Sequence, residues 1–526
     1  MHNRFDRCWK PPRLFKLLII SVVAIGVFFR FSNLGDRAYW HDETYTLLRS
    51  SGYTISEVTH QSFDGRVIDR SELLDYQQVN AEKSFLDSMR SIVIDEPHRA
   101  PLYYGLIRVW MQAFGSDVTA TRFCSVLVSL FAFPLLYWLC LELFDRAIVG
   151  WIAIALLAVS PFHVHYAQEI REYALWTDTI LLMSAALLRA IRLSTRSAWI
   201  FYGVTVAISL YTFILSAVVV IGQIIYVVAD EKLRWTQKTV AFSKAVLLGW
   251  IAYLPWLSFA FLNVEQVEKT SAWMFQPTAH KTLMQHWLTN FQFAFFRDDL
   301  AGSFRVAVAA AIVLLAIVAL RSLCELPNKS HFLSNYRQHS ASMFVAVLVL
   351  PLFLSLAIPD VILGGVRSSN SRYFVPGYLG IQIAVAYWLA KQSLQRFNLR
   401  SKLIIATLLF AGVLSCRSQI ASDRHSDNQA IAHLINQSAT AIVVSNEANY
   451  TGGGTIGDVL ALSHLVSPKI RFQLVVAPNL PAIPKHTDVF LYKPLASIKQ
   501  QLESQYTLQP IYKNKLFRII NKLSER

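Results

Sequence analysis

Two adjacent acids, Asp42 and Glu43, lie in the sequence YWHDETY shortly after the first strongly apolar run of the chain. A carboxylate placed beside a substrate hydroxyl can act as a general base, and a second carboxylate can orient it or bind a sugar. The two acids are therefore a candidate active site. The alternative is structural, because acids at this position also cap a following helix and stabilise its dipole.

Two further polar clusters border apolar runs later in the chain. The first contains Glu169, Arg171 and Tyr173, and the second contains Arg372 and Tyr373. Ionisable side chains at a membrane boundary are costly and usually have a partner or a function. The planar guanidinium of arginine binds oxyanions through two parallel hydrogen bonds, so both arginines are candidate phosphate ligands. The alternative for each arginine is a contact with lipid headgroups at the tip of a long side chain.

The composition indicates what kind of chain positions these residues. The 526 residues are 54% hydrophobic and only 16% charged, which predicts a polytopic α-helical membrane protein. The formal charge of +15 does not indicate nucleic-acid binding, because lysine and arginine concentrate in short loops between apolar runs, as they do in cytoplasmic loops of membrane proteins. The five cysteines form no CxxC motif, so we expect neither a disulfide framework nor a thiolate zinc site.

About eleven apolar runs approach the roughly 20 residues that a transmembrane helix needs. They lie at residues 17–34, 119–143, 148–166, 173–190, 198–214, 216–229, 240–262, 304–322, 341–358, 374–390 and 401–416. The runs at 198–214 and 216–229 nearly touch, and the sequence leaves open whether they are two spans or one re-entrant hairpin.

The basic residues predict the orientation of these spans. The segment before the first span carries Arg4, Arg7 and Lys10, and the later basic loops fall on the same side, so the positive-inside rule predicts a cytoplasmic N-terminus. An odd number of spans then places the C-terminus outside. We expect a multi-pass protein of a bacterial inner or plasma membrane, with Asp42 on the extracytoplasmic face. Chemistry on that face cannot draw on cytosolic nucleotides, so we expect no nucleotide cofactor.

The chain divides into two predicted domains. Residues 1–416 form a transmembrane catalytic domain with a first outer loop at 35–118, and residues 417–526 form a small extracytoplasmic α/β domain. Within that tail, short strand-like runs alternate with helical patterns. The strands are predicted at 441–445, 471–476, 488–492 and 516–520, and the helices at 427–437 and 458–465. The glycine run at 451–455 lacks the Lys-Ser/Thr of a phosphate loop, so we interpret it as a turn.

Two outer segments before the tail have patterns of their own. Residues 72–94 carry an irregular apolar stripe that predicts a helix along the membrane surface. Residues 263–303 combine tryptophan, histidine and phenylalanine in the way that is typical of an interfacial helix.

Taken in order, the polar motifs resemble a known family. The resemblance covers residues 15 to 390 and is to the bacterial relatives of protein O-mannosyltransferases and of the lipid A aminoarabinose transferase, which are polytopic GT-C glycosyltransferases. The residues that carry it are Trp40, Asp42, Glu43, His98, Pro101, Leu102, Tyr103, Tyr104, Arg122, Ser160, Pro161, Gln168, Glu169, Arg171, Tyr173, Arg372, Tyr373 and Pro376. The chain departs from the commoner Pro-Pro-Leu motif at Ala100.

The resemblance implies a reaction. Enzymes of this family use polyprenyl-phosphate-linked sugars, which implies inverting transfer of a sugar from such a donor to an extracytoplasmic protein, glycan or lipid, with Asp42 as the base. Some GT-C enzymes hold a metal between acids of the first and second outer loops, so Asp42 and Glu169 are the candidate ligands and the cofactor stays unassigned. The resemblance implies substrate contacts for His98, Tyr103, Glu169, Arg171, Tyr173, Arg372 and Tyr373.

The main alternative is a transporter or flippase of lipids or polysaccharides. Such proteins bury charges near the bilayer midplane in broken helices and contain two-fold repeats. Here the polar clusters lie at one predicted membrane face, which favours the transferase. A receptor whose α/β tail binds a partner would leave all three polar clusters without a role.

Overall fold

The computed structural model describes residues 13–297, 303–324, 335–395, 399–422, 427–449, 454–484 and 487–521. Arg4, Arg7, Lys10 and the first part of the predicted glycine turn, residues 451–453, lie outside the described residues. The chain divides into two compact units. We call residues 1–32, 97–102 and 125–421 the helical unit, and residues 33–96, 103–124 and 422–526 the mixed unit.

The helices and strands follow one another along the chain as follows. The α-helices are α1 (Arg13–Phe31), α2 (His41–Ser51), α3 (Ile55–Ser62), α4 (Arg70–Asp75), α5 (Phe85–Asp95), α6 (Leu102–Phe114), α7 (Val118–Leu130), α8 (Ala132–Phe144), α9 (Ala147–Ala158), α10 (Pro161–Ala167), α11 (Tyr173–Leu193), α12 (Arg196–Thr212), α13 (Ser216–Asp230), α14 (Gln237–Leu262), α15 (Val264–Ser271), α16 (His280–Phe293), α17 (Ser303–Cys324), α18 (Asn335–Leu363), α19 (Val375–Gln395), α20 (Leu399–Ser422), α21 (Asp427–Ile435), α22 (Ile456–Ser463) and α23 (Ala496–Gln505). The strands are β1 (Asp64–Asp69), β2 (Ala441–Glu447), β3 (Ile470–Val476), β4 (Asp488–Tyr492), β5 (Tyr506–Tyr512) and β6 (Leu516–Asn521).

Seven helices in the described part of the chain are long and apolar enough to cross a membrane. The count is eight if α9 and α10, which meet at an angle of 63°, form one broken span. The seven are Arg13–Phe31, Val118–Phe144, Tyr173–Leu193, Gln237–Leu262, Arg337–Leu363, Ser371–Gln392 and Lys402–Gln419. The chain is a multi-pass membrane protein.

The predicted count of eleven spans is not confirmed. Helices α12 and α13 have only 17 and 15 residues, which is shorter than the roughly 20 residues of a typical span. In α17 the apolar helical segment within the described residues is Ala311–Ser322. The predicted runs at 119–143 and 148–166 each contain two helices, α7 with α8 and α9 with α10, and α12 and α13 are shorter than a typical full crossing.

The break between α9 and α10 explains why a basic residue interrupts the first apolar run. Pro161 has no backbone N–H, so the carbonyl of Leu157 loses its usual helical donor. The buried guanidinium of Arg30 donates instead to the carbonyl oxygens of Leu157 and Ala158, at 3.2 and 2.6 Å. Gly26 permits this approach, because a Cβ there would lie 2.3 Å from the Ala158 oxygen. Arg30 thus stabilises a helix break inside the helical unit.

A six-stranded sheet organises the mixed unit, with the strand order β1-β3-β2-β4-β6-β5. The central strand β2 runs parallel to β3 and β4, and the remaining pairs are antiparallel. Strands β2, β3, β4 and β6 agree with the predicted runs within two residues. Strand β5 and helix α23 were not predicted.

Strand β1 comes from the first outer loop and pairs with β3 of the C-terminal segment, with Asp64 opposite Val475 and Asp69 opposite Arg471. The division of the chain therefore differs from the prediction, which placed loop 35–118 with the transmembrane domain. Most of that loop belongs to the same compact unit as residues 422–526. The loop adds the edge strand β1 to a sheet whose other five strands come from the C-terminal segment.

Helix α2 is fixed against α22 within this unit. Thr44 Oγ1 donates to the carbonyl of Gly457 at 3.0 Å, and the backbone N–H of Gly457 donates to the Tyr45 hydroxyl at 3.2 Å. A Cβ at position 457 would lie 2.8 Å from the Tyr45 ring, so glycine allows the two helices to approach this closely. Tyr45, Leu48, Ile456, Val459 and Leu460 belong to one apolar core. The C-terminal segment therefore supports the helix that carries Asp42.

Candidate functional site

The first-loop carboxylates lie in the first turn of α2. This helix begins at His41 with Trp40 as its N-cap, so Asp42 is not the capping residue itself. The Asp42 side chain is 14% exposed, and its Oδ1 lies 3.4 Å from His41 Nε2. The Asp42 carboxylate is therefore partly accessible in the mixed unit.

Glu43 is fully buried, although it is the next residue in the chain. Its Oε1 accepts from Arg122 Nε at 3.0 Å and its Oε2 accepts from Arg122 Nη2 at 2.8 Å. The Trp40 backbone N–H also donates to Oε2, at 3.4 Å. Both carboxylate oxygens thus hold the start of α2 in place. This geometry favours a positioning role for Glu43 over direct contact with a sugar.

Arg122 connects this pair to the chain that leads into α2. Its Nη1 donates to the carbonyls of Leu34 and Arg37 at 2.9 and 2.7 Å, and its Nη2 donates to that of Ala38 at 3.2 Å. Its guanidinium also lies 4.8 Å from the centroid of the Tyr39 ring. Sequence reasoning included Arg122 in the family pattern but gave it no role. The signal was an arginine at the head of an apolar helix, where an unpaired charge is costly.

In the helical unit, the short connection between α10 and α11 holds a buried acid. Glu169 Oε1 lies 3.0 Å from His165 Nε2, and His165 Nδ1 is hydrogen-bonded to the Gln419 side chain. The His165 ring thus lies against Glu169, four residues further along the chain.

Glu172 links two arginines of the helical unit. Its Oε1 accepts from Arg99 Nη1 at 2.9 Å and from Arg171 Nη2 at 3.4 Å. Both Arg171 and Glu172 are buried. Sequence reasoning named Arg171 as a phosphate ligand and gave Glu172 no role. Because this shared acid offsets part of its positive charge, Arg171 is a weaker candidate for binding phosphate than Arg372.

Two 3₁₀ turns, Arg367–Ser369 and Ser371–Phe374, lead into α19 and carry Arg372. Asp360, near the end of α18, fixes the first turn. Its Oδ1 accepts from Arg367 Nη1 at 2.8 Å, and its Oδ2 accepts from the backbone N–H and the hydroxyl of Ser368, both at 2.6 Å. The backbone before Arg372 is therefore held by a buried carboxylate.

Three aromatic rings surround the half-buried guanidinium of Arg372. Its Cζ lies 6.0 Å from the centroid of the Tyr173 ring, 6.0 Å from that of Trp273 and 5.7 Å from that of Tyr373. We call these four residues the arginine–aromatic cluster. Rings beside a guanidinium stabilise its charge, while its N–H groups in the plane are the donors that bind an oxyanion. Trp273 was predicted only as an interfacial residue.

The remaining predicted contact residues lie in different surroundings. His98 is half-buried in the helical unit, whereas Tyr103 is completely buried in α6 of the mixed unit. Full burial favours a packing role for Tyr103. The substrate contacts of both residues stay predictions.

No group of three or more histidines, cysteines, aspartates or glutamates that could hold a metal ion is present in the part of the chain that the structure describes. The predicted ligands Asp42 and Glu169 belong to different units, and His165 already contacts Glu169. Joint binding of a metal by Asp42 and Glu169 stays a prediction.

The structure brings Tyr173, Arg372 and Tyr373 together in the helical unit and places Asp42 beside Glu43 in the mixed unit. That these two groups meet around one outward-facing cavity stays a prediction.

Residues 96–259 match the family model described as dolichyl-phosphate-mannose-protein mannosyltransferase. The matched segment contains His98, Glu169, Arg171 and Tyr173. The match confirms the resemblance predicted from the motifs. No curated protein sequence matches the chain significantly.

Solved structures of two proteins are similar to the chain at low sequence identity. ArnT from Cupriavidus metallidurans bound to undecaprenyl phosphate is 14% identical, with 96% of this chain and 98% of that chain covered and a TM-score of 0.41. The Archaeoglobus fulgidus oligosaccharyltransferase AglB in complex with an inhibitory peptide and a dolichol-phosphate is 12% identical, with 87% of this chain and 65% of that chain covered and a TM-score of 0.48.

Proposed function

We propose that this protein is a membrane glycosyltransferase that moves a sugar from a polyprenyl-phosphate donor to an extracytoplasmic acceptor. The observation that carries the proposal is that one residue of the arginine–aromatic cluster, Tyr173, lies within the segment that matches the family model. Tyr173 lies within the match to a family named for dolichyl-phosphate-mannose, and its ring stands 6.0 Å from the Arg372 guanidinium. A donor of this class carries the phosphate that such a guanidinium binds.

In the proposed reaction the acceptor hydroxyl attacks the anomeric carbon from the side opposite the phosphate. A new C–O bond forms as the bond between the anomeric carbon and the phosphate oxygen breaks, and that oxygen keeps the electron pair. The products are an inverted glycoside and a polyprenyl phosphate monoester. The hydroxyl proton passes to a base, for which we propose Asp42, because its carboxylate is partly accessible while that of Glu43 is buried against Arg122.

The proposed role of Arg372 is to stabilise the negative charge that grows on the departing phosphate. A fixed cation aimed at developing charge lowers the barrier, because it needs little reorganisation during the reaction. The Asp360 contacts hold the preceding turn, which supports a fixed position for Arg372. Arg171 is the second choice because Glu172 is its neighbour. No step of the mechanism runs through a metal ion.

The direct test uses purified protein in proteoliposomes with a polyprenyl-phosphate sugar labelled in the sugar. Transfer predicts that label leaves the lipid and appears in a covalent bond to an acceptor, in an amount equal to the polyprenyl phosphate released. A flippase would move the labelled lipid between leaflets without cleaving it. Movement without cleavage, across a panel of protein, glycan and lipid acceptors, would reject the proposal.

We also infer that the N-terminus is cytoplasmic and the C-terminal segment extracytoplasmic. The inference depends on the basic loops and on an odd number of crossings. Reporter enzymes fused after Ser415 and at the C-terminus should therefore report the extracytoplasmic side. A cytoplasmic signal at both positions would reject this orientation. It would also place Asp42 on the side of the membrane opposite to the proposed donor.

A further inference from the structure

A cleft lies between α12 and α14, at the end of the helical unit remote from the arginine–aromatic cluster. Its volume is about 790 Å³, and it is lined by the first turns of both helices and by the end of α13. Helix α11 connects the two places, since Tyr173 is its first residue and Ser194 of the cleft follows its last. The 21 residues of α11 span about 30 Å at 1.5 Å per residue. The cleft is therefore separate from the proposed donor site.

Close packing of two glycines explains why the cleft ends where it does. A Cβ at Gly203 of α12 would lie 2.7 Å from the carbonyl oxygen of Ala245 in α14, and a Cβ at Gly249 would lie 2.5 Å from Val206. The helices are thus in backbone contact at this level. The lining residues Arg196 and Lys238 precede the contact, so the cleft occupies the space before the two helices meet.

The charge of the lining favours an anion. Arg196, Lys238 and Lys244 contribute three positive charges, and Glu231 is the one acid among the lining residues. Glu231 forms an ion pair with Lys238, with Oε1 and Nζ 3.3 Å apart. The basic side chains that remain, Arg196 and Lys244, are both exposed. The cleft thus has an excess of positive charge at its mouth.

Two helix N-termini add to this field. Helix α12 begins at Arg196 and α14 at Gln237, and both ends border the cleft. Thr195 and Thr236 each accept from one backbone N–H of the first turn, and the positive ends of both helix dipoles face the cleft. Because the cations and the dipoles act together, a singly or doubly charged phosphate is a suitable occupant.

The walls of the cleft are apolar and continue onto an exposed apolar surface. Trp199, Ile200 and Leu248 line it, and Ile200 and Leu248 are exposed large hydrophobic residues. The loop between α13 and α14 carries Leu233 and Trp235, whose side chains are each 83% exposed. Exposed tryptophan beside lysine and arginine is typical of the membrane–water interface. A ligand here would have its charged part at the interface and its apolar part along the helices.

We propose that this cleft binds an anionic phospholipid from the surrounding membrane, with its phosphate at Arg196 and Lys244 and its acyl chains along Ile200 and Leu248. Basic pockets between transmembrane helices are suited to such headgroups. A free phosphate compound would use the cations but not the apolar wall. This lipid site does not depend on the proposed transferase activity, because its residues lie at the end of the helical unit remote from the arginine–aromatic cluster.

The test measures lipid binding to the purified full-length protein by native mass spectrometry from detergent micelles. Phosphatidylglycerol and phosphatidylcholine with identical acyl chains are titrated in parallel, and glycerol 3-phosphate is added as the soluble competitor. We expect phosphatidylglycerol to bind at least tenfold more tightly than phosphatidylcholine and to resist glycerol 3-phosphate. Equal binding of both lipids, or displacement by glycerol 3-phosphate at equal concentration, would overturn the proposal. This comparison uses only the unmodified protein, so its outcome does not depend on whether a variant folds.

Variants then locate the site. The double substitution Arg196→Gln/Lys244→Gln should weaken phosphatidylglycerol binding about 25-fold, at about fivefold for each cation near an anionic headgroup. Arg13→Gln/Lys232→Gln removes the same charge from exposed positions outside the lining and should leave binding unchanged. Glu231→Gln releases Lys238 and should strengthen binding about fivefold. An equal loss in both double variants would show that general surface charge binds the lipid, which would reject a defined cleft.

Discussion

The two units use a buried or half-buried arginine in different ways. In the mixed unit, Arg122 is held by both oxygens of Glu43 and by three backbone carbonyls. In the helical unit, Arg372 lies among three aromatic rings, on a turn that Asp360 holds. Arg122 therefore fixes the structure around the start of α2, whereas the binding of a donor phosphate by Arg372 stays a proposal.

The largest effect expected concerns Asp42. Asp42→Asn keeps the shape of the side chain but cannot accept a proton, so turnover should fall about 10²- to 10⁴-fold while the thermal unfolding temperature stays the same. The measurement is initial rate of sugar transfer beside thermal unfolding in the same detergent. The exposed Asp75, in the same loop, gives the matched control Asp75→Asn, which should be fully active. Retained activity with lowered stability would assign Asp42 a helix-stabilising role instead.

Arg122→Lys should lower the stability of the folded protein more than it lowers the rate of sugar transfer. Lysine keeps the charge but loses the fork that reaches Glu43 and the carbonyls together, and losing a buried hydrogen bond to a charged group costs about 1.5 to 3 kcal/mol. Chemical denaturation of the purified variant measures this loss. Glu43→Gln should share much of it, and the double variant should lose less than the sum, because both changes break one pair. Additive losses would mean that the two residues act separately.

The buried carboxyl of Asp95 predicts how the stability of the mixed unit depends on pH. Burial raises the pKa of this carboxyl to about 6, against a partial opposing effect of Arg49. A raised pKa in the folded state stabilises the fold fully below about pH 4, and this contribution is lost as the pH rises through 6. Asp95→Asn removes the titration, so the variant should gain stability relative to the parent between pH 4 and pH 7, on the order of 1 to 3 kcal/mol. Thermal unfolding at both pH values measures the difference.

A control variant for Asp95→Asn is measured at the same two pH values. Asp75→Asn, at an exposed position, should change stability equally at pH 4 and pH 7. A variant-to-parent difference for Asp95→Asn that does not change with pH would show that this carboxyl has an ordinary pKa in the folded protein.

An effect of similar size, on donor affinity instead of stability, distinguishes phosphate binding by Arg372 from anchoring to lipid headgroups. Arg372→Lys keeps the charge and the reach to lipid headgroups, but it loses bidentate binding. A phosphate role predicts that donor affinity falls by about 1 to 3 kcal/mol with unchanged stability. Donor titration in lipid nanodiscs measures it. An unchanged affinity would reject Arg372 as the phosphate ligand and move the assignment to Arg171.

The sequence predicted those features that have a local signal. Apolar runs give the membrane helices, and alternating patterns in the tail gave four strands within two residues of their observed ends. Strand β1 was missed because its pairing partner β3 lies about 400 residues further along the chain, and a short polar strand at a sheet edge has little pattern of its own. The count of eleven spans is not confirmed, because hydropathy does not report where a helix ends, and α12 and α13 have only 17 and 15 residues.

The sequence identified the residues of the candidate site, but it did not predict which side chains they contact. Asp42 and Arg372 were named from their positions at the ends of apolar runs. The roles of Arg122, Glu172 and Trp273 depend on residues that the fold brings close, such as Glu43, which is 79 positions from Arg122. A single sequence contains no record of such pairs, so only the structure shows that Glu43 is bound by Arg122.

The pairing of β1 with β3 also sets the order of events during synthesis. The sheet needs residue 475 as well as residue 64, and at roughly 5 to 20 residues per second the ribosome takes about 20 to 80 s to make the chain between them. Several membrane helices must be inserted in that time, and helix α2 waits for Gly457 to support it. The contacts that support the helix carrying Asp42 are therefore completed late, although this helix is among the first parts of the chain to emerge. A chain that ends before the tail would contain every proposed site residue and still lack the support that holds Asp42 in place.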